Sequence, residues 1–162
     1  MSMENKEPMH AAIIYASHHH GNTKKIVDAV EKECDVTSFD AEKDEIPNLS
    51  ECEYIGFASG IDFGKFYAPV TEAAKRVLTK GQKVFAMFTC GSGSNEKYAS
   101  EIKQIATECG CEFIGFYGCK GYDSYGPFKL IGGINKDHPD KDDLFCAVAF
   151  CGDFLMPKRV DD

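Results

Sequence analysis

Three consecutive histidines precede a Gly-Asn-Thr sequence at residues 17–23, SHHHGNT. The stretch follows a short apolar run and leads into an amphipathic pattern, so it is predicted to connect a buried strand to a helix. At such a junction, backbone N–H groups and the positive end of the helix dipole form a site for an anion such as phosphate. Gly21 allows the backbone to approach the anion closely, and Asn22 and Thr23 add side-chain donors.

The histidines allow other interpretations. A metal site is disfavoured because the side chains of adjacent residues point in different directions. A purification tag is disfavoured because the three histidines run directly into the predicted strand and helix. A polar loop with incidental histidines stays open. If the imidazoles face the pocket, they add N–H donors or partial positive charge near a phosphate.

Two more loops carry groups that suit a planar ligand. Residues 60–67, GIDFGKFY, combine two glycines with three aromatic rings, which would cover a flat ligand or else form core or dimer contacts. Residues 90–95, CGSGSN, offer backbone groups for the edge of a heteroaromatic ring, or form only a turn. Tyr122 and Tyr125, in a later loop, either reach this site or cap the sheet. Together the three loops predict a site for a phosphorylated planar cofactor.

Short apolar runs alternate with amphipathic helix patterns along the chain. This alternation predicts an α/β fold, a three-layer, doubly wound sandwich around a five-stranded parallel sheet with strand order 2-1-3-4-5. Ligands bind to such a sheet beyond the carboxyl ends of the strands, where the three loops lie. The strands are predicted at residues 11–16, 35–39, 54–59, 84–89 and 113–117. The first helix is predicted at residues 23–34, and the second from Pro69 to a stop at Gly81. The third follows the apolar positions Tyr98, Ile102, Ile105 and Cys109 to a stop at Gly110, and the fourth runs from Asp142 and Asp143 through Leu155.

Composition limits the classes of partner and compartment. The 162 residues predict one domain at residues 11–156, with tails at 1–10 and 157–162. A net charge of −8 argues against nucleic acid and anionic membranes and favours basic partners. No apolar segment is long enough for a signal peptide or a membrane span, which predicts a cytoplasmic protein. The eight cysteines include no C-x-x-C pair, so reduced structural thiols are expected.

From Ala11 to about Met156 the chain resembles the flavodoxin family. SHHHGNTKKI stands in the place of the family's T-G-N-T phosphate loop, SGIDFGKFY resembles its second flavin loop, and TCGSGSN resembles its third. The segment GCKGYDSYGPFKLIGGINKDHPD resembles the one before the last helix in flavodoxin-like proteins of anaerobes and archaea. His18 and His20 stand where many flavodoxins carry Ser or Thr.

The resemblance implies that FMN is held non-covalently, with its phosphate on residues 17–23 and its isoalloxazine ring between the second and third loops. Because the chain has no Trp, stacking on the ring would fall to Phe63, Phe66, Tyr67 or Tyr98. No metal ligand and no catalytic residue is predicted. The predicted cofactor-binding residues are Ser17, His18, His19, His20, Gly21, Asn22, Thr23, Ser59, Gly60, Ile61, Asp62, Phe63, Gly64, Phe66, Tyr67, Thr89, Cys90, Gly91, Ser92 and Gly93.

The resemblance also implies a function, the transfer of electrons between redox partner proteins by bound FMN, in a monomer or a homodimer. A backbone flip at Gly60 or Gly64 would then adjust the hydrogen bonding of the flavin. An NAD(P)H-dependent FMN or quinone reductase on the same fold is the main alternative, and a purely structural module is another. Turnover of nicotinamide nucleotides would identify the reductase, and failure to take up FMN would identify the structural module.

Overall fold

A computed structural model describes residues 8–160 of the chain, so the ends of the two predicted tails lie outside the described residues. Strands and helices alternate through the described part, as the hydrophobic patterns predict. The strands are β1 (Ala11–Ala16), β2 (Thr37–Asp40), β3 (Tyr54–Asp62), β4 (Lys65–Phe66), β5 (Lys83–Cys90) and β6 (Glu112–Lys120), and the α-helices are α1 (Asn22–Glu33), α2 (Ala68–Val77), α3 (Ser100–Glu108) and α4 (Lys141–Gly152).

Five parallel strands form the sheet in the order β2-β1-β3-β5-β6. This is the predicted doubly wound order 2-1-3-4-5, since the additional strand β4 shifts the numbering of the last two. β4 is a two-residue strand that pairs antiparallel with the end of β3, through Ile61 with Phe66 and Asp62 with Lys65. The sheet therefore has six strands where five were predicted, and the sixth lies at the carboxyl edge.

Helices cover both faces of the sheet. One layer contains α2 and α3, which pack on Ile14, Phe57 and Phe88 of the central strands. The opposite layer contains α1 and α4, which pack on residues such as Ile13 and Phe85. Both faces of β1 are covered, and all six of its residues are buried, which explains why this strand is a continuous apolar run in the sequence.

Several boundaries differ from the prediction. α2 begins at Ala68 with Pro69 in its first turn, but it ends at Val77, four residues before the predicted stop at Gly81. α4 begins after Asp140. The Asp140 carboxylate accepts a hydrogen bond from the backbone N–H of Asp143, and the Asp143 carboxylate accepts one from the backbone N–H of Asp140. This reciprocal capping satisfies two N–H groups that a helix leaves unpaired.

The predicted C-terminal tail begins with residues that are attached to the domain. Pro157 forms an isolated antiparallel bridge with Cys34, and the backbone N–H of Lys158 donates to Glu33 O at 2.9 Å. All eight cysteines are free thiols, as expected. Among the described helices, none combines the length and the apolar character needed to span a membrane.

Candidate functional site

The three predicted loops meet in one cleft of about 300 Å³ at the carboxyl edge of the sheet. A fourth segment, which follows β6, completes its wall. The lining residues are Ser17, His18, His19, Asn22, Thr23, Gly60, Ile61, Asp62, Phe63, Tyr67, Thr89, Cys90, Gly91, Gly121, Tyr122, Asp123 and Tyr125.

The first loop, residues 17–23, is anchored in the core at Thr23 and is joined to the start of α1 at Ser17. Thr23 is 1% exposed, and its hydroxyl lies 3.0 Å from that of Thr89 on β5. Ser17 Oγ accepts a hydrogen bond from the N–H of Lys24 at 3.1 Å, which leaves its own O–H to donate. Between these anchors, His20 and Gly21 have positive φ angles of 59° and 65°, so the chain turns sharply into α1. The N–H groups of the first turn of α1 have no partners within the helix, and Asn22 and Thr23 of this turn line the cleft.

Asn22 carries a buried acceptor without a partner. Its Nδ2 donates to Tyr122 O at 2.8 Å, but within residues 8–160 its Oδ1 has no hydrogen-bond partner. An unpaired buried carbonyl oxygen costs about 1–3 kcal/mol, so the geometry favours a ligand that donates a hydrogen bond here. Gly121 makes room for this side chain, since a Cβ there would lie 2.7 Å from Asn22 Nδ2.

The three histidines diverge. His18 stacks on the Tyr67 ring with a centroid distance of 4.2 Å and an interplanar angle of 13°, and its Nε2 contacts the Glu42 carboxylate. His20 leaves the cleft lining and packs on Tyr122 with a centroid distance of 3.7 Å. Its Nε2 lies 2.9 Å from Ser124 Oγ. His18 thus connects the first loop to the Tyr67 wall and His20 connects it to the Tyr122 wall, whereas His19 lines the cleft.

The second predicted loop is a β-hairpin. Gly60, Ile61 and Asp62 belong to β3, and Gly60 lies opposite Thr89 of β5, so the prediction of a loop from residue 60 is wrong. Only Phe63 and Gly64 form the turn, with φ angles of 51° and 75°. Positive φ at both central residues is typical of a type I′ hairpin turn.

Residues of this β3–β4 hairpin point in different directions. Phe63, at the tip, is 87% exposed, whereas Phe66 is buried and packs against Phe88 in the core with a centroid distance of 6.2 Å. Phe66 and Gly64 are therefore outside the cleft lining. Ser59 is fully buried beneath the hairpin, where its Oγ donates to Gly60 O at 2.6 Å and accepts from Tyr67 N–H at 2.9 Å.

Tyr67 lies across Gly60 in the cleft. A methyl group at Gly60 would overlap the Tyr67 hydroxyl, so the absence of a side chain at residue 60 is what allows the ring to lie here. Burial raises the pKa of Tyr67, and the carboxylates of Asp62, Glu42 and Asp123 raise that pKa further. Its hydroxyl therefore stays protonated at neutral pH and is available as a donor.

The third predicted loop divides at Gly91. Cys90 and Gly91 line the cleft, whereas Ser92 and Gly93 do not. Ser92 Oγ instead lies 3.0 Å from the Tyr98 hydroxyl, which keeps Tyr98 outside the cleft lining. Gly91 O accepts a hydrogen bond from Asn135 Nδ2 at 2.8 Å, so the third loop is tied to the segment after β6.

That segment contributes residues that the sequence prediction missed. β6 extends to Lys120 although the apolar pattern ended it at Tyr117, so residues from Gly121 onward leave the sheet beside the other loops. Gly121 and Asp123 line the cleft and were not predicted, and Tyr122 and Tyr125 reach it. The rule that ligands bind beyond the carboxyl ends of parallel strands applies to the fifth parallel strand as well, and would have indicated this segment.

The charge of the cleft is uneven. No lysine or arginine is among its lining residues in the described part of the chain, and two aspartates, Asp62 and Asp123, lie on the side of the hairpin and of the segment after β6. Binding of an anion therefore depends on backbone N–H groups, hydroxyls and imidazoles of the first loop. The opposite side is negative and suits a neutral or hydrogen-bonding group.

Comparison with known proteins agrees with this architecture. The model of the flavodoxin domain family matches residues 12–109. An uncharacterized protein of Methanocaldococcus jannaschii is 34% identical over 148 residues, which cover 91% of this chain and 99% of that protein.

Solved structures share the fold at low sequence identity. A flavodoxin from the domain Archaea superposes with a TM-score of 0.65 at 19% identity, over 90% of this chain and 95% of the other. Oxidised flavodoxin 1 of Bacillus cereus gives 0.62 at 17% identity, over 89% and 95%. A Fusobacterium nucleatum flavodoxin bound to flavin mononucleotide gives 0.57 at 12% identity, over 91% and 99%.

Proposed function

Since this chain belongs to the flavodoxin domain family, we propose that it binds FMN non-covalently in the cleft and carries electrons between redox partner proteins. Bound FMN would supply the chemistry, because it takes up and releases one or two electrons. The observation that carries the proposal is the anchored first loop with the unpaired buried oxygen of Asn22. The FMN-bound Fusobacterium nucleatum flavodoxin, which has the same fold, supports the choice of cofactor.

The donors of the first loop match one end of FMN. Backbone N–H groups at the start of α1, the Ser17 hydroxyl and the His19 imidazole would hold the phosphate. Asn22 Oδ1 is an acceptor and cannot bind an ionised phosphate, but it can accept a hydrogen bond from a hydroxyl of the ribityl chain. The donor set therefore orients FMN with its phosphate on the first loop and its ring toward the hairpin.

The remaining walls match the other end. Tyr67, Tyr122 and Tyr125 offer aromatic surface for a flat ring. The Asp62 and Asp123 carboxylates oppose the gain of negative charge in the cleft, so they would lower the reduction potential of a group bound there.

The proposal is tested with purified protein and FMN. We expect the protein to take up FMN and show the visible absorption bands of bound flavin. We also expect it to be reduced by a partner reductase and to be inert to NADH and NADPH. Steady oxidation of either nucleotide with a quinone or free flavin would instead identify a reductase. A protein that stays colourless with excess FMN would contradict the proposal.

A further inference from the structure

α4 has an apolar outer face, and none of its residues lines the cleft. Its inner residues Ala147 and Cys151 are fully buried in the core. On the outer side, Phe145 is 73% exposed, and the exposed residues Ala149 and Gly152 follow at i+4 and i+7, on the same stripe of the helix. A surface helix normally carries polar residues there, so the exposed apolar stripe indicates a contact surface.

A groove of about 660 Å³ runs between this stripe and α1. Leu144, Phe145 and Val148 form its apolar side. Along α1, two lysines and two acidic residues alternate, so the local charge is balanced although the chain has a net charge of −8. The four charged residues are Lys25, Asp28, Lys32 and Glu33.

We propose that this face is the interface of a homodimer in which α4 pairs antiparallel with α4 of a second copy. A two-fold interface uses one patch twice, so the patch must complement itself. The stripe does so, since it is bulky at Phe145 and small at Ala149 and Gly152. Antiparallel pairing places Phe145 of each copy on the small residues of the other, and there is room, because a Cβ added to Gly152 meets no atom within 4 Å.

The balanced charge of this face favours a second copy of the same chain as its binding partner. Two strongly acidic molecules repel each other, but a patch with equal numbers of both signs meets its own copy without net repulsion. In the antiparallel arrangement, lysines of one α1 can approach acidic residues of the other. A basic partner protein would gain more from the acidic remainder of the surface than from this face.

Sedimentation velocity from about 1 µM to about 500 µM tests the proposal, since transient homodimers dissociate in this range. We expect a monomer–dimer equilibrium in the wild type. Phe145→Ala and Gly152→Leu should each raise the dissociation constant at least about tenfold, because a central aromatic anchor is lost or its pocket is filled. Leu130→Ala is the matched control, since Leu130 is 90% exposed on another surface, and it should leave the constant unchanged.

A size swap tests the antiparallel register. Phe145→Ala combined with Gly152→Phe moves the bulky side chain to the other end of the stripe, where it again faces a small residue of the second copy. We expect the double variant to recover at least about tenfold in affinity relative to Phe145→Ala alone. Circular dichroism and thermal midpoints of each variant verify that the monomer stays folded.

Cys146 gives an independent readout. All eight cysteines lie within residues 8–160, and Cys146, beside Phe145, is the exposed one. Its alkylation by iodoacetamide should slow as the protein concentration rises in the wild type but not in Phe145→Ala. A wild type that stays monomeric throughout the range would overturn the proposal. So would a dimer that is insensitive to both single substitutions, or a failure of the size swap to restore affinity.

Discussion

The first loop and the β3–β4 hairpin border the same cleft but are held in opposite ways. The first loop is anchored inward, by the buried Thr23–Thr89 hydroxyl pair and by Asn22 on Tyr122 O. The base of the hairpin is anchored by Ser59 and by the buried Phe66, whereas its tip residue Phe63 is exposed with a left-handed backbone. One wall is therefore built into the core, and the other projects from it.

This difference separates two tasks. A rigid set of donors binds an anion at low entropic cost, which suits the phosphate end of a cofactor. The exposed tip of the hairpin has few buried contacts, so it can adjust at low free energy to a ring or to a change in its charge. Variants in the first loop should therefore affect affinity, and variants in the hairpin turn should affect it little.

The largest effect is expected from Asn22→Ala. The substitution removes the bond to Tyr122 O and the acceptor proposed for the ribityl chain, so the dissociation constant for FMN should rise roughly 10- to 100-fold. Quenching of flavin fluorescence measures it. Asn95→Ala is the matched control, because that side chain accepts only from Lys97 N–H at an exposed turn. Equal affinity in both variants would remove Asn22 from the site.

Gly60→Ala should have the next largest effect. Its methyl group overlaps the Tyr67 hydroxyl, so Tyr67 must leave its position and its stacking on His18 is lost. We expect FMN affinity to fall about tenfold, the cost of one aromatic contact, and the tyrosine signal in near-ultraviolet circular dichroism to change. Gly152→Ala, in open space, should change neither. The sequence-based hypothesis of a backbone flip at Gly60 is disfavoured because Gly60 is paired within the sheet.

Thr23→Val tests the anchor itself. The side chain keeps its shape but leaves the Thr89 hydroxyl unpaired in the core, so the free energy of unfolding should fall by about 1–3 kcal/mol. Urea denaturation of Thr23→Val, Thr89→Val and the double variant forms a cycle. The double variant should be less destabilised than the sum of the two. Simple additivity would show that the two hydroxyls do not interact.

Gly64→Ala should have the smallest effect on the cofactor. Its φ of +75° makes a side chain unfavourable, and the nearest atom to a new Cβ is 3.9 Å away on Tyr98, so the cost is backbone strain alone. We expect a loss of about 1 kcal/mol in stability with FMN affinity within about threefold of the wild type, since the anchored loop is untouched. Loss of FMN binding in this variant would contradict the separation of the two walls.

The sequence predicts the buried parts of the molecule well. β1 has its predicted bounds because a strand covered on both faces must be a continuous apolar run. The sheet edge is less predictable, since β6 continues through Gly118 and Lys120, which interrupt the apolar pattern. The hairpin was missed because its turn is Phe63-Gly64 and lacks the Asn-Gly or Asp-Gly pair typical of such turns.

The site was only partly predictable for a related reason. The chemistry of the first loop is local, so the strand, the glycine and the start of the helix indicate an anion site from neighbouring residues. The partners of its histidines are distant along the chain, Glu42 at 24 residues from His18 and Ser124 at 104 residues from His20. Hydrophobic periodicity carries no information about such pairs, so only the folded structure shows how the loop is joined to both walls.

The central claim is that residues 17–23 bind the phosphate of FMN, and comparing FMN with riboflavin tests it most directly. Riboflavin has the same ring and ribityl chain but lacks the phosphate. We predict that the wild type binds FMN at least about 100-fold more tightly than riboflavin, because the phosphate accepts several charge-assisted hydrogen bonds that riboflavin lacks. Equal affinity for the two flavins would contradict the account.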